Sequence, residues 1–173
     1  MQFCSLISRL VNASVKIVVV VSGLFFLAGC GSMLPGQNVV SVDDSAIDYA
    51  MSGSGSPTLI LETGIGDDIS SWEQIYGDLA TISRVLAYNR AGYGNSDAVQ
   101  GNRSGEQIVK ELQGLLEALD ISGPLVIVAH DMGAEYAELF ARLYPARVKG
   151  LVLIDPHHYT FDQRCRQVLD VGD

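Results

Sequence analysis

The segment from Leu125 to Pro156 limits the possible folds of this 173-residue chain more than any other part of it. It begins with the apolar run LVIVA and ends with a second apolar run, VKGLVLI, at residues 148–154. Between them, residues 134–144 are predicted as a helix that stops before Pro145, because proline disfavours helical geometry in the preceding residue. Short apolar runs are typical of parallel strands covered on both faces. The segment therefore predicts a buried strand, a sharp turn, a helix and a second buried strand.

Other parts of the chain continue this alternation. Residues 59–61 and 85–88 are short apolar runs, and residues 39–42 and 46–50 are predicted as strands at an antiparallel edge. A helix is predicted after Ser104, a candidate N-cap. The apolar positions that follow it recur at helical spacing: Ile108, Leu112, Leu115, Leu116 and Leu119. The pattern predicts an α/β fold with a doubly wound, mostly parallel sheet and right-handed crossovers.

The sharp turn has the sequence Ala129-His130-Asp131-Met132-Gly133. Small residues are needed around the central position of such a turn, because the strand must reverse into a helix within a few residues. Hydrolases with this turn usually carry serine at the centre, where this chain carries Asp131. The turn is therefore predicted to present a carboxylate.

From these residues the chain resembles the α/β-hydrolase superfamily. The resemblance extends through TLILETGIGDDISSWEQIYGDLATISRVLAYNRAGYGNSD, which is similar to the strand, oxyanion loop, helix, strand and turn of these enzymes. The pair His130-Asp131 resembles that of epoxide hydrolases and haloalkane dehalogenases. The resemblance implies that Asp131 is the nucleophile and that the backbone N–H groups of Met132 and Ile65 form the oxyanion hole. Thr63 departs from the family pattern, which frequently has histidine at that position.

Three interpretations of Asp131 are open. It is a nucleophile that attacks carbon to form an ester, as the resemblance implies. Alternatively it replaces a catalytic serine and leaves an inactive fold, because a carboxylate is a weak nucleophile toward acyl carbon. A third role, compatible with either, is to cap the following helix, where negative charge contributes about 0.3 to 1 kcal/mol. Dehalogenation is less favoured than epoxide opening, because Met132 and Ile65 offer no side-chain donor to a halide.

The acid and base of such an enzyme are less evident. The resemblance places the base histidine after the last strand, beyond Asp173. Asp155 is a candidate acid, although a structural turn is the favoured interpretation. His130 is predicted as a buried core histidine, because alternation along the strand turns its side chain away from the nucleophile. His157 and His158 are predicted at the entry to a lid or on the surface.

The resemblance covers only the N-terminal part of a hydrolase domain. Residues 39–173 are therefore expected to form a C-terminally incomplete sheet that lacks most of the lid and the final strands. The strand at residues 148–154 would then be an open apolar edge, which favours pairing with another chain. Self-association is a corresponding expectation.

The N-terminal region has the pattern of an export signal. Arg9 and Lys16 lie in a segment without acids, and residues 17–28 are apolar or small. This run is shorter than the roughly 20 residues that span a bilayer. The sequence Leu27-Ala28-Gly29-Cys30 at the end of this run resembles a bacterial lipobox. That resemblance implies a signal peptide at residues 1–29, lipidation of Cys30 and a tether at residues 30–38.

Lipidation would anchor the protein to the bacterial cell envelope, at the outer membrane or cell surface, through acyl chains on Cys30. An ordinary secretory signal with a chance cysteine and an uncleaved short anchor are the alternatives. The chain has 11 basic and 20 acidic residues and a formal charge of -9, which disfavours nucleic acid as a partner. No cluster has metal-ligand spacing, so neither a metal nor a cofactor is expected.

The sequence thus predicts a lipid-anchored hydrolase of a small ester or epoxide, with a small-molecule substrate. The alternative is a catalytically inactive surface lipoprotein that serves as a binding or interaction module.

Overall fold

The structure, a computed structural model, describes residues 33–98, 100–101 and 103–157. The predicted signal peptide, Cys30, His158 and the segment that follows it lie outside the described residues. The strands are β1 (Gln37–Val42), β2 (Ser45–Ser52), β3 (Thr58–Glu62), β4 (Arg84–Tyr88), β5 (Leu125–His130) and β6 (Val148–Ile154). The helices are α1 (Glu73–Ile82), α2 (Gly105–Ala118) and α3 (Gly133–Leu143), and a 3₁₀ turn at Ile69–Trp72 precedes α1.

The described strands form one sheet in the order β1-β2-β4-β3-β5-β6. β4, β3, β5 and β6 are mutually parallel, whereas β1 and β2 pair antiparallel at one side. This arrangement confirms the predicted fold class and the antiparallel edge. The strand β6 begins and ends at the residues predicted for it.

Helices cover both faces of the sheet, as a doubly wound fold requires. On one face, Trp72 and Tyr76 pack with Leu61 and neighbouring apolar residues. On the other face, α2 and α3 pack against a larger cluster that includes Ile60 and Phe140. Because successive strand residues point to opposite faces, Ile60 and Leu61 supply one residue to each cluster. The continuous apolar runs in the sequence follow from this two-sided burial.

The N-terminus of α2 is capped as predicted. The Ser104 side chain accepts a hydrogen bond from the Gln107 N–H at 3.3 Å. Within the described part of the chain, no helix is long and apolar enough to cross a bilayer.

The connections after β3 and β5 lead toward opposite edges of the sheet. β3 is followed by β4 on one side, and β5 is followed by β6 on the other, although β3 and β5 are neighbours. Glu62 at the end of β3 lies opposite Ala129 of β5, so the loops that follow the two strands are adjacent. A reversal of strand order of this kind opens a crevice at the carboxyl ends of parallel strands. The crevice locates the candidate site.

Candidate functional site

The turn after β5 holds Asp131 in a left-handed backbone conformation, with φ of 51°. Aspartate adopts this conformation more readily than most residues, because its short polar side chain can bond locally. The Asp131 N–H donates to the Ile154 carbonyl at 3.1 Å, and the Asp131 carbonyl accepts from the Ala134 N–H at 3.1 Å. The turn is therefore fixed to β6 and to the start of α3.

Gly133 permits the close approach of α3 to the end of β3. A Cβ atom at this position would lie 2.5 Å from the Thr63 carbonyl oxygen and 2.9 Å from Cγ of Glu62. Both distances are shorter than carbon tolerates. The small residue predicted for the turn is thus required by packing between the two loops.

The Asp131 carboxylate lies between two backbone donors. The Ile65 N–H donates to Oδ2 of Asp131 at 3.1 Å. Hydrogen bonds from the Met132 N–H and from the Ile65 N–H hold the pKa of the Asp131 carboxyl below its usual value. The imidazoles of His130 and His157, when protonated, act in the same direction. The structure therefore brings together the predicted nucleophile and both predicted oxyanion donors, while their catalytic roles stay predictions.

A buried ion pair supports the loop after β3, and the sequence reasoning did not identify it. Arg90 is 4% exposed and Glu62 is 1% exposed, and Nη1 of Arg90 binds the Glu62 carboxylate. The same guanidinium donates to the Thr63 carbonyl and to the Gly64 carbonyl, each at 2.6 Å. The Tyr88 hydroxyl donates to the other carboxylate oxygen of Glu62. A signal existed in the sequence, since apolar runs ending in charged residues at Glu62 and Arg90 are unusual for buried strands.

The two charges modify each other. Burial raises the pKa of Glu62, although the neighbouring Arg90 acts in the opposite direction. Burial alone would lower the pKa of Arg90, but the Glu62 carboxylate raises it above its usual value. Arg90 is therefore a permanent cation in this network.

A cavity of about 290 Å³ lies beside the turn. Its walls include Ile65, Met132, Arg90, Tyr93 and Tyr136. The guanidinium carbon of Arg90 lies 5.1 Å from the centre of the Tyr93 ring and 5.5 Å from that of Tyr136. Contacts of this length are within the range of cation–π attraction. The cavity next to the oxyanion donors is suited to a small molecule with an apolar or aromatic part.

His130 differs from its prediction. The prediction of a buried core histidine is wrong, because the side chain is 40% exposed and Nδ1 lies 3.5 Å from Oδ2 of Asp67. His130 is the last residue of β5 and is only half-buried, unlike the three residues before it. Its side chain borders a second cavity, of about 250 Å³, together with Trp72.

Gly64 lies between this pair and the nucleophile position. A Cβ atom there would be 3.0 Å from Oδ2 of Asp67, 3.0 Å from Nδ1 of His130 and 3.1 Å from Cβ of Asp131. Glycine is therefore needed for the backbone to approach all three side chains.

The residues after β6 return to the turn. Asp155 is exposed and has φ of 44°, as expected of a turn residue, and its role as an acid stays a prediction. The His157 N–H donates to the Asp131 carbonyl at 3.1 Å. Nδ1 of His157 lies 2.8 Å from Oε1 of Glu135 in the first turn of α3.

The chain matches known proteins over most of the described residues. A model of the alpha/beta hydrolase fold family matches residues 57–168. An uncharacterized protein, YqjL of Bacillus subtilis, is 35% identical over 104 residues, which are 60% of this chain and 41% of that protein.

Solved structures show the same likeness. The haloalkane dehalogenase DatA of Agrobacterium tumefaciens matches with a TM-score of 0.63 and 26% identity, over 69% of this chain and 40% of that one. A mutant epoxide hydrolase of Vigna radiata matches with a TM-score of 0.65 and 25% identity, over 76% of this chain and 43% of that one. The chain therefore spans about two fifths of the length of these relatives.

Proposed function

The chain belongs to the α/β-hydrolase fold family, and from this premise we propose that it supplies the nucleophile of a hydrolase in which Asp131 attacks a carbon of a small epoxide. One observation carries the proposal, namely that the Ile65 backbone N–H donates to the Asp131 carboxylate at 3.1 Å, while the neighbouring Met132 N–H also lowers the pKa of that carboxyl. These interactions keep the carboxylate ionised and restrict its orientation. An ionised, oriented carboxylate is what nucleophilic attack on carbon requires.

The same arrangement disfavours attack on an acyl carbon. Acyl transfer develops negative charge on the substrate oxygen, and backbone donors normally stabilise that charge. Here a carboxylate occupies the donors, and its own charge would repel an incoming oxyanion. Attack on an epoxide avoids this conflict, because the new charge develops on the leaving oxygen of the ring.

The chemistry balances without a further reactant except water. One oxygen of Asp131 bonds to an epoxide carbon, the ring C–O bond breaks, and the released alkoxide takes a proton from water. The product is a hydroxyalkyl ester and hydroxide. Water then adds to the ester carbonyl, and the N–H groups of Ile65 and Met132 stabilise the resulting oxyanion. The diol leaves, the carboxylate is restored, and the proton released neutralises the hydroxide.

Covalent labelling tests the proposal directly. The full chain is incubated with a small aryl epoxide such as styrene oxide, and the intact mass and the modified peptide are determined. We expect an increase of one epoxide mass on Asp131, and none in the Asp131→Asn variant. Asp120→Asn is a matched control, because Asp120 is an exposed aspartate with a similar left-handed φ of 53°.

Two outcomes would contradict the proposal. Equal labelling of wild type and Asp131→Asn would show that another group reacts. No labelling at any pH, together with an absence of diol, would favour the inactive fold that acts as a binding or interaction module. Diol release is measured separately, because formation and hydrolysis of the ester are distinct steps.

We also propose that acyl chains on Cys30 anchor the protein to the cell envelope. The proposal is supported by the sequence Leu27-Ala28-Gly29-Cys30 after a short apolar segment. Incorporation of labelled palmitate in cells should require Cys30 and survive Cys4→Ser. Palmitate incorporation that persists in Cys30→Ser would overturn this part of the proposal.

Self-association through β6 is a further part of the proposal. β6 is the terminal strand of the described sheet, and Val152 and Ile154 on it are 49% and 41% exposed. Apolar side chains on an edge strand favour pairing with a second copy. Sedimentation should therefore show a dimer that Val152→Lys weakens, whereas a monomer at all concentrations would contradict it.

A further inference from the structure

We propose that Arg90 is a positioning residue, which fixes the peptide between Gly64 and Ile65 so that its N–H points at the nucleophile. This inference rests on the proposed function, because it concerns the donor that orients Asp131. Arg90 does not touch the Asp131 side chain in this role, and acts on it through the backbone.

The contacts of a single peptide unit carry the inference. Nη2 of Arg90 donates to the Gly64 carbonyl at 2.6 Å, and the Ile65 N–H donates to Oδ2 of Asp131 at 3.1 Å. The Gly64 carbonyl and the Ile65 N–H belong to the same planar trans peptide, in which they point in opposite directions. Rotation of this plane would break both bonds together. A guanidinium bound on one side therefore holds the donor in place on the other.

The loop needs such a support. Gly64 has no side chain to restrict its backbone, and Gly66 adopts a φ of 77° that favours glycine. Glycine on both sides of Ile65 leaves the peptide free to rotate unless another group holds it. The Ile65 side chain is 60% exposed and does not anchor the loop in the core.

Arg90 has the geometry needed to hold the peptide between Gly64 and Ile65. Nη1 binds the Thr63 carbonyl at 2.6 Å as well as the Glu62 carboxylate, so the planar guanidinium is held at several points. A fork of donors in fixed geometry distinguishes arginine from lysine. Burial of the pair excludes water that would compete for the two carbonyls.

The positive charge of Arg90 also strengthens the Ile65 N–H as a hydrogen-bond donor. A cation bound to a carbonyl polarises the peptide and strengthens hydrogen bonding by the N–H on the opposite side. Arg90 therefore strengthens the hydrogen bond that the Ile65 N–H donates, first to the free Asp131 carboxylate and then to the oxyanion formed during ester hydrolysis. The Glu62 carboxylate balances the cation, so the effect is transmitted mainly through the peptide.

The test compares Arg90→Lys with Arg147→Lys in the full chain. Arg147 is a matched control, because its Nη2 also donates to a backbone carbonyl, that of Ile121, at the opposite end of the sheet. Lysine retains a charge beside Glu62, but its single nitrogen cannot reproduce the contacts that Arg90 makes from two nitrogens, Nη1 and Nη2. The Asp131 carboxyl is titrated by carbon NMR, with Asp131→Asn used to assign its signal, and the rate of epoxide labelling is measured over a range of concentrations.

We expect Arg90→Lys to raise the pKa of Asp131 and to move the Ile65 amide signal. The maximal labelling rate should fall by about tenfold or more, as expected for the loss of one charge-assisted hydrogen bond, with little change in the concentration for half-maximal rate. Arg147→Lys should change none of these. Thermal unfolding of both variants separates the positioning effect from loss of structure.

A second variant covers the case in which Arg90→Lys does not fold. The triple change Glu62→Leu, Tyr88→Phe and Arg90→Met replaces the buried polar network by apolar groups, a change that is often neutral for stability. It should raise the pKa of Asp131 in the same way. An unchanged Asp131 titration in a folded variant would overturn the inference. Because NMR does not require reactivity, absence of both labelling and diol in wild type would refute the proposed function and leave the role of Arg90 to be decided by the titration.

Discussion

The two ends of the central strands β3 and β5 differ in the groups that their backbones bind. At the amino ends, the Thr58 N–H donates to the Pro124 carbonyl at 2.9 Å and the Leu125 N–H to the Arg147 carbonyl at 2.8 Å. At the carboxyl ends, the Asp131 N–H after β5 also donates to a backbone carbonyl, that of Ile154, but the Ile65 N–H after β3 donates to a side-chain carboxylate. A backbone partner cannot be exchanged without unfolding, whereas a carboxylate can be converted to an ester in place. The proposed reaction at Asp131 therefore belongs to the carboxyl end, where a backbone donor has a side-chain partner.

The two arginines show the same contrast. Arg90 at the carboxyl end is buried and paired with Glu62. Arg147 at the amino end is half-buried and binds neutral groups, the Ile121 carbonyl and Oε1 of Gln113. The buried ion pair thus lies at the crevice, whereas the arginine at the amino end binds neutral acceptors.

The largest expected effect is that of Arg90→Ala, which leaves Glu62 buried without its partner. We expect a loss of about 3 to 5 kcal/mol in the free energy of unfolding, against about 1 kcal/mol for Arg147→Ala. Burial raises the pKa of Glu62, so the folded variant binds a proton at Glu62 more readily than the unfolded chain does. The loss in the free energy of unfolding caused by Arg90→Ala should therefore become smaller as the pH falls. Urea unfolding at several pH values measures this, and equal losses for the two variants would refute the contrast.

Gly133→Ala should have the next largest effect. Its Cβ atom would lie 2.5 Å from the Thr63 carbonyl oxygen, so α3 must move away from β3. Overpacking of this kind costs about 1 to 3 kcal/mol. Gly123→Ala, at the amino end of β5, is the control, because its Cβ atom would meet nothing within 4 Å. Chemical denaturation should separate the two, and a stable Gly133→Ala protein would mean that the loops tolerate separation.

Asp131→Asn removes the charge but keeps a residue that tolerates the left-handed conformation. We expect a loss of about 1 kcal/mol at neutral pH, because the two backbone donors lose an ionised acceptor. The pKa of Asp131 is lowered in the folded state, so this stabilisation is present above the pKa of the unfolded chain and is lost as the pH falls through the folded value. The difference from wild type should therefore vanish in acid, and a difference independent of pH would contradict the assignment.

Ile65→Ala should have the smallest effect. The side chain is exposed and only its backbone N–H binds Asp131. We expect a change below about 0.5 kcal/mol in the free energy of unfolding, measured by urea denaturation. A larger loss would show that the Ile65 side chain supports the loop as well as its backbone.

Much of the fold was predictable from local pattern. Two-sided burial produces continuous apolar strands, and the run at residues 148–154 has the bounds of β6. The turn at Asp131 was also predictable, because Ala129 and Gly133 are small and the helix that follows is amphipathic. Local sequence was sufficient for these elements because neighbours along the chain determine them.

Other features could not be predicted in this way. His130 was placed in the core by alternation, but alternation gives only the face of the sheet and not the extent of the helix that covers it. The contact of His157 with Glu135 depends on the path of the chain after β6. Contacts of this kind depend on the ends of elements, where sequence patterns are weakest.

The sequence by itself determined the alternation of strands and helices and the turn that presents Asp131, and its resemblance to a known family implied which residues place their N–H groups around that side chain. The tertiary structure alone decided that Arg90 supports the loop after β3, which donates to Asp131. Arg90 follows β4 and Gly64 follows β3, and they meet only because these strands are parallel neighbours with Leu61 opposite Ala87. The physical reason is that strand order and register, which arise from packing across the whole sheet, are not encoded in any single segment.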